Sequence, residues 1–220
     1  MNMRGFPVLS AFELDALAEL VNYGVSRAAT ALREMVREQV HLSVPNVRVV
    51  TRARAIEILH EREQSGLVAV HQTFDGQMNG RALLIFPDAN SLELVRALTG
   101  GELPLEDIID LEQEALAETG NVILNNCLAT IANMLKCTFK MSLPEILRGE
   151  GPEFFNLPPP PEAGDMVMFL YINFSVRERN IRGYIAMLMD IPSVIALKQL
   201  LSQFIERTTG VLEPQPDARY

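Results

Sequence analysis

Histidine, cysteine and basic side chains are scarce in this 220-residue chain, and each shortage removes a class of function. The three histidines, His41, His60 and His71, show neither His-x3-His spacing nor a neighbouring cysteine, so no metal-site pattern is present. The two cysteines, Cys127 and Cys137, read as belonging to one helix, where their ten-residue separation amounts to roughly 15 Å along the axis. They cannot bridge at that distance, which leaves reduced, buried thiols of the kind a cytosolic protein carries. Lys and Arg total 19 against 28 Asp and Glu, giving a net charge of −9. With no basic cluster and no aromatic platform, nucleic-acid binding is disfavoured. An acidic surface suits a partner that presents a lysine and a bound cation. No Gly-rich loop leads into Lys-Ser/Thr, so a phosphate-cradling nucleotide loop is absent. No uncharged apolar run reaches eighteen residues, and residues 1–10 lack the apolar core and cleavage pattern of a signal peptide. No membrane insertion is expected, and the compartment expected is the cytoplasm.

What the chain does have is a repeat. Asp15, Glu19, Asn22 and Pro45 recur as Glu114, Glu118, Asn121 and Pro144, an acidic-x3-Glu-x2-Asn-x22-Pro pattern written twice. Each residue type is used at roughly one position in twenty, so the four-part pattern arises by chance only about a few times per hundred thousand starting positions. On a helix, positions i, i+4 and i+7 fall within roughly 60° of one another. Each copy therefore gathers two carboxylates and a carboxamide on one stripe. The stripe lies about 110° round from the centre of the apolar face, formed in the first copy by Leu14, Leu17, Val21, Val25, Ala28, Leu32 and Met35. In the second copy that face is Leu116, Ala117, Ile123, Leu124, Cys127, Ile131 and Leu135. Both stripes are expected at the exposed flank of a buried face. A lone Glu-x2-Asn pair on a solvated helix is commonplace; its duplication with matched prolines is not.

The segments Asp15-Ala-Leu-Ala-Glu19-Leu-Val-Asn22 and Glu114-Ala-Leu-Ala-Glu118-Thr-Gly-Asn121, each with its proline, resemble the signature of the CheC-type chemotaxis phosphatases, a family that includes the CheX and FliY relatives. The run Ala28-Ala-Thr-Ala-Leu32 is similar to that family too, and the likeness extends over about residues 10–208. Two copies resemble CheC more than the single-site CheX. There are two departures. Val21 stands where the family usually has Gly, with crowding of a partner at the first site as the expected consequence, and Glu114 stands where Asp or Ser is usual.

The resemblance implies a phosphatase acting on the aspartyl phosphate of a CheY-type response regulator. Asn22 and Asn121 would orient the attacking water, and Glu19 and Glu118 would pair with the regulator's active-site lysine. An Asn side chain donates and accepts but is no base at neutral pH, so its contribution is positioning. Charge on the phosphoryl oxygens is a task for a divalent ion and lysine held by the regulator; the chain needs no cofactor of its own. Asp15 and Glu114 either touch the partner or offset the helix dipole. The alternative is a non-catalytic chemotaxis adaptor that binds a CheD-type deamidase or the flagellar switch. FliY-like proteins carry a further switch-binding domain that this sequence does not contain, which favours CheD over the switch as the adaptor's partner.

In order, Ser10 and Glu13 form a capping box for a helix that runs to about residue 38. Pro45 then opens an extended segment, followed by a short helix over residues 52–61. Residues 67–74 and 81–86 read as a hairpin turned at Asp75-Gly76, with a helix over Asp88–Leu98 behind it. Gly80 marks close packing or a bulge. An acidic connector over residues 102–107 leads into a second long helix over residues 105–140. After a loop rich in proline, Pro158 to Pro161, residues 166–176 and 180–189 repeat the hairpin, and residues 193–206 repeat the helix. Met134, Met187 and Met189 fall in core patterns. The expectation is one α+β domain over residues 1–220, with halves at about 10–101 and 105–208 related by a pseudo-two-fold. Its antiparallel sheet of hairpins carries two long and several shorter helices, and the tail, residues 210–220, is expected to fray.

Overall fold

The computed structural model describes residues 8–37, 39–98, 104–156, 166–176 and 179–210. The proline run, residues 102 and 103 of the connector and the tail beyond Gly210 lie outside them. In chain order the elements are α1 (Ala11–Val36), β1 (Val40–Thr51), α2 (Arg52–Arg62), β2 (Leu67–Gly76), β3 (Gly80–Pro87), α3 (Asp88–Leu98), α4 (Leu105–Leu135), β4 (Phe139–Met141), β5 (Glu145–Gly149), α5 (Gly151–Asn156), β6 (Met166–Val176), β7 (Arg179–Met189) and α6 (Ile191–Thr209).

The first long helix starts on the capping box read from the sequence. Ser10 Oγ accepts from the Glu13 N–H at 3.1 Å, and the Glu13 carboxylate accepts from the Ser10 N–H at 2.7 Å. That carboxylate is fully buried, because it also accepts from Lys198 Nζ at 3.1 Å and Ser202 Oγ at 3.2 Å on α6. Burial pushes the Glu13 carboxyl up, but the Ser10 N–H and the Lys198 ammonium outweigh it and hold the group below its ordinary value. The cap thus ties α1 to α6. Both long helices stop the same way: Arg37 and Lys136, 99 residues apart, sit in the left-handed region at φ 56° and 59°. The periodicity predicts longer helices, to about residues 38 and 140. Each ends sooner because its left-handed cap turns the chain into a strand.

One mixed-order antiparallel sheet runs β1-β6-β7-β3-β2-β4, and β5 also pairs with β2. The β3–β7 pair is the seam between halves: with Gly80 matched to Gly183, Leu83 lies opposite Ala186, its own repeat equivalent. Gly80 does mark close packing, since a Cβ there would stand 2.2 Å from the Leu188 carbonyl oxygen and 2.7 Å from the Phe74 ring. At the two edges the halves look different but correspond. Strand β1 pairs along β6 with a register shift between Ser43 and Asn46, and β4 and β5 pair along β2 with a gap between Met141 and Glu145. Pro45 falls in the shift and Pro144 in the gap. The matched prolines are therefore the breakpoints of the two edge strands, where a missing N–H does least harm. Pro45 does not begin an extended segment, as the sequence suggested, but interrupts one that is already running from Val40.

Alternation splits each strand between two cores. Val68 and Val70 face the layer of α1, α3, α4 and α6, whereas Leu67 and Ala69 face α2 and α5. Two glycines set the spacing of the thicker layer. A Cβ at Gly24 would stand 3.1 Å from the backbone of Cys127, so α1 and α4 approach closely there. A Cβ at Gly120 would stand 2.4 Å from Val70, so α4 lies down tightly on β2. Three details differ from the sequence reading. Cys137 lies beyond the end of α4 and so does not share a helix with Cys127, although both are free and buried. Met35, assigned to the core face, is exposed, because α1 is by then one residue from its end. Met134 is half-buried, while Met187 and Met189 are in the core.

Candidate functional site

The two stripes occupy the same helical positions and differ in what holds them. On α1, Asp15, Glu19 and Asn22 are all exposed, and none forms an ion pair or side-chain hydrogen bond with another described residue. On α4, Glu114 and Glu118 are likewise exposed, but Asn121 is half-buried. Asn121 Oδ1 accepts from Gln72 Nε2 at 3.1 Å and from Asn125 Nδ2 at 2.5 Å. Gln72, on β2, is fully buried, and its Nε2 also donates to the Ser142 carbonyl oxygen at 2.8 Å. Ser142 is clamped to β2 in turn, giving its N–H to the Thr73 carbonyl at 3.0 Å and taking the Thr73 N–H on Oγ at 2.9 Å. In the second copy, then, the helical Asn and the segment before the motif's proline meet through one glutamine.

The first copy has no such link. Ser43, which corresponds to Ser142, pairs with Asn173, so beside that serine the place of Gln72 is taken by Ile172; counted from the matched glycines Gly80 and Gly183 it falls to Leu170, and both are buried and apolar. Ser26, the counterpart of Asn125, is exposed and offers no amide. The residue before each Asn accounts for part of the difference. Gly120 lets α4 settle onto β2, whereas Val21 is almost completely buried and fills the equivalent space with side chain. Val21 points into the core, so it does not crowd a partner at the surface; its bulk acts on the spacing beneath the helix.

Two further residues belong to this face. Phe12 and Leu111, 99 residues apart, are each three positions before the first acidic residue of their stripe, and both are exposed, at 50% and 39%. Their helical angle keeps them within roughly 100° of the Asn. Continuing the repeat three residues toward the N-terminus finds this pair in the sequence. The only sequence signal of Gln72 is a polar residue in the middle of an apolar strand. Leu143, 85% exposed, stands beside the Ser142 clamp of the second copy only; its counterpart Val44 is buried.

Among the described residues no group of three His, Cys, Asp or Glu side chains is placed to hold a metal ion, and no helix is long and apolar enough to cross a membrane. The arrangement offers two carboxylate and carboxamide pairs on long helices, each with an exposed apolar side chain about two turns before its Glu.

A family model described as Chemotaxis phosphatase CheX matches residues 68–155. The chain is 21% identical over 137 residues to the CheY-P phosphatase CheC of Bacillus subtilis; the match covers 61% of this chain and 65% of that protein, just under two thirds of its length. It is 21% identical over 185 residues to CheC1 of Halobacterium salinarum, covering 84% of this chain and 93% of that protein. Among solved structures, FliY of Thermotoga maritima shares the fold, with a TM-score of 0.68 at 18% identity, covering 90% of this chain and all of that one. Over residues 68–155 the chain is thus similar to the chemotaxis phosphatase CheX family, and its repeated helices and antiparallel sheet give it the fold seen in FliY.

Proposed function

We propose that this protein hydrolyses the aspartyl phosphate of a CheY-type response regulator, with Glu19 and Asn22 forming one site and Glu118 and Asn121 the other. The observation that carries the reading is the pair of carboxylate and carboxamide stripes at the same register on two long helices, exposed in the first copy and half-buried only at Asn121 in the second, in a chain similar to a Bacillus subtilis protein named as a CheY-P phosphatase. Water attacks the phosphorus in line, the new P–O bond forms as the bond to the regulator's aspartate oxygen breaks, and the bonding electrons leave with the aspartate carboxylate. The water's protons stay with inorganic phosphate. The protein's share is to hold that water, a contribution of proximity, while the regulator's own lysine and divalent ion stabilise the phosphoryl oxygens. Glu19 and Glu118 pair with the lysine. Phe12 and Leu111 add an apolar contact beside each pair, and Asp15 and Glu114 lie between that contact and the catalytic stripe.

The test is the decay of a phosphorylated CheY-type regulator with and without the protein. Acceleration is expected, lost in the Asn22→Ala, Asn121→Ala double variant. Undiminished acceleration in that variant removes the site assignment. No acceleration with a cognate regulator, alongside binding of a CheD-type deamidase, replaces the enzyme with an adaptor. A Phe12→Ala, Leu111→Ala variant should raise KM with kcat little changed, because a contact made equally in ground and transition states contributes only to binding.

A further inference from the structure

We infer that Gln72 is a positioning residue that fixes the amide of Asn121 in one orientation, so that the second site addresses its ligand as a hydrogen-bond donor only. The inference rests on the phosphatase reading for its catalytic consequence, but the lock itself is geometric. The chain of assignment starts at a group whose role admits no choice. A backbone carbonyl only accepts, so the Gln72 atom 2.8 Å from the Ser142 oxygen is its NH2. That same NH2 lies 3.1 Å from Asn121, so the Asn121 atom facing it is the acceptor Oδ1. Asn125 Nδ2 donates to the same oxygen at 2.5 Å. A carboxamide oxygen has two lone pairs, and both are occupied. What Asn121 has left for a ligand is Nδ2, with its two N–H donors.

Packing alone does not account for Gln72. Its Oε1 is buried with no hydrogen-bond partner among the described residues, a condition that works against stability. The strand residues at this place in the other half, Ile172 beside Ser43 and Leu170 opposite Ile185, are apolar and carry no such penalty. An Asn free to turn about its last torsion presents oxygen and nitrogen in turn, whereas Asn121 presents nitrogen to a water or phosphoryl oxygen from the outset. Asn22, with neither donor beside it, is not held in this way. The two sites thus differ in preorganisation although their motifs match.

The test has two arms in the full-length protein. In the first, the side-chain NH2 groups of Asn22 and Asn121 are followed by 15N relaxation. Asn121 should be rigid beside a mobile Asn22, and Gln72→Met should move Asn121 toward the mobility of Asn22. Equal mobility of the two in the wild-type protein, or an Asn121 unchanged by Gln72→Met, overturns the lock whether or not the protein is a phosphatase. In the second arm, Gln72→Met is placed on an Asn22→Ala background so that only the second site is read. The expected result is a kcat lowered roughly tenfold to a hundredfold with KM unchanged and no fall in melting temperature. Gln72→Glu, which keeps size and polarity but turns an acceptor toward two oxygens, should lose at least as much. Wild-type kcat in either folded variant overturns the positioning role. If the unsubstituted protein itself fails to accelerate decay, the phosphatase reading falls while the first arm still decides the lock.

Discussion

The first stripe stands free on its helix, and the second is tied to the sheet beneath it. The residues proposed to touch a ligand are nearly the same in both, so the difference resides in what lies behind them: Gly120 against Val21, Gln72 against Ile172, Asn125 against Ser26. A motif can be duplicated with its spacing intact while its support is not. Positional precision on the scale of an ångström affects rate strongly, so two copies of one motif are expected to work unequally. The largest effect predicted follows directly. Asn121→Ala should lower regulator dephosphorylation by roughly a hundredfold at the second site, and Asn22→Ala should lower the total by severalfold at most. Single-turnover decay of the phosphorylated regulator measures both. A greater loss from Asn22→Ala would invert the ranking.

The comparison is broken more finely by making the second copy like the first. Gly120→Val places its Cβ 2.4 Å from Val70, so α4 must rise from β2 and the Gln72 to Asn121 bond must lengthen. Overpacking of this kind destabilises by about 1–3 kcal/mol. Denaturant melts should show that loss, and second-site activity should fall beyond what the loss of folded protein explains. The reverse change, Val21→Gly, leaves a cavity under α1 and supplies no glutamine, so it should destabilise the protein without raising first-site activity.

The starts of the two long helices offer a third contrast. The α1 helix opens on the Ser10 and Glu13 box, pinned by Lys198, whereas α4 opens at Pro104 with no side-chain cap. Because Glu13 is held below the ordinary carboxyl value of 4.5 in the folded protein, it binds fewer protons folded than unfolded, and its stabilisation is present above that value. The advantage of wild type over Glu13→Gln should be constant, at about 1 kcal/mol, from neutral pH down to about pH 5, and should shrink as the pH drops through the lowered folded value. Equilibrium unfolding across that window tests the sign; an advantage that grows on acidification refutes it.

Elements with a strong local signature were legible in the sequence. The capping box is two side chains three residues apart, α3 opens on an acidic residue, and both hairpins are apolar runs broken by short polar turns. The Glu and Asn stripes were equally legible, because an angle on a helix follows from spacing alone. The residues that support the second stripe were not. Gln72 lies 49 residues from Asn121 and 70 from Ser142, and no periodicity reports which strand residue a helix will settle upon. The role of the prolines was hidden for a related reason: a break in an edge strand is defined by its neighbour, β6 in one half and β2 in the other. The ends of the long helices were overrun because their stops are left-handed Arg37 and Lys136 rather than glycine, and nothing in those side chains announces a positive φ.

Those stops give the smallest effect and the one place where the halves should respond alike. A non-glycine residue in the left-handed region is strained by about 1 kcal/mol relative to glycine. Glycine also has more freedom to lose on folding, which offsets part of the gain. Arg37→Gly and Lys136→Gly should therefore each raise stability by about 0.5 kcal/mol, and by equal amounts, since φ is 56° at one and 59° at the other. The two gains should also add, because the caps end different helices and no hydrogen bond joins them. Lys136 carries the more informative arm. Its N–H and that of Cys137 close the end of α4 on the Asn133 and Ala132 carbonyls, and that end lies beyond the segment that bears Asn121. A stabilising Lys136→Gly that leaves second-site kcat unchanged places the preorganisation of Asn121 in its contacts with β2 and Asn125. A change in kcat at constant stability places it in the rigidity of the helix as a whole.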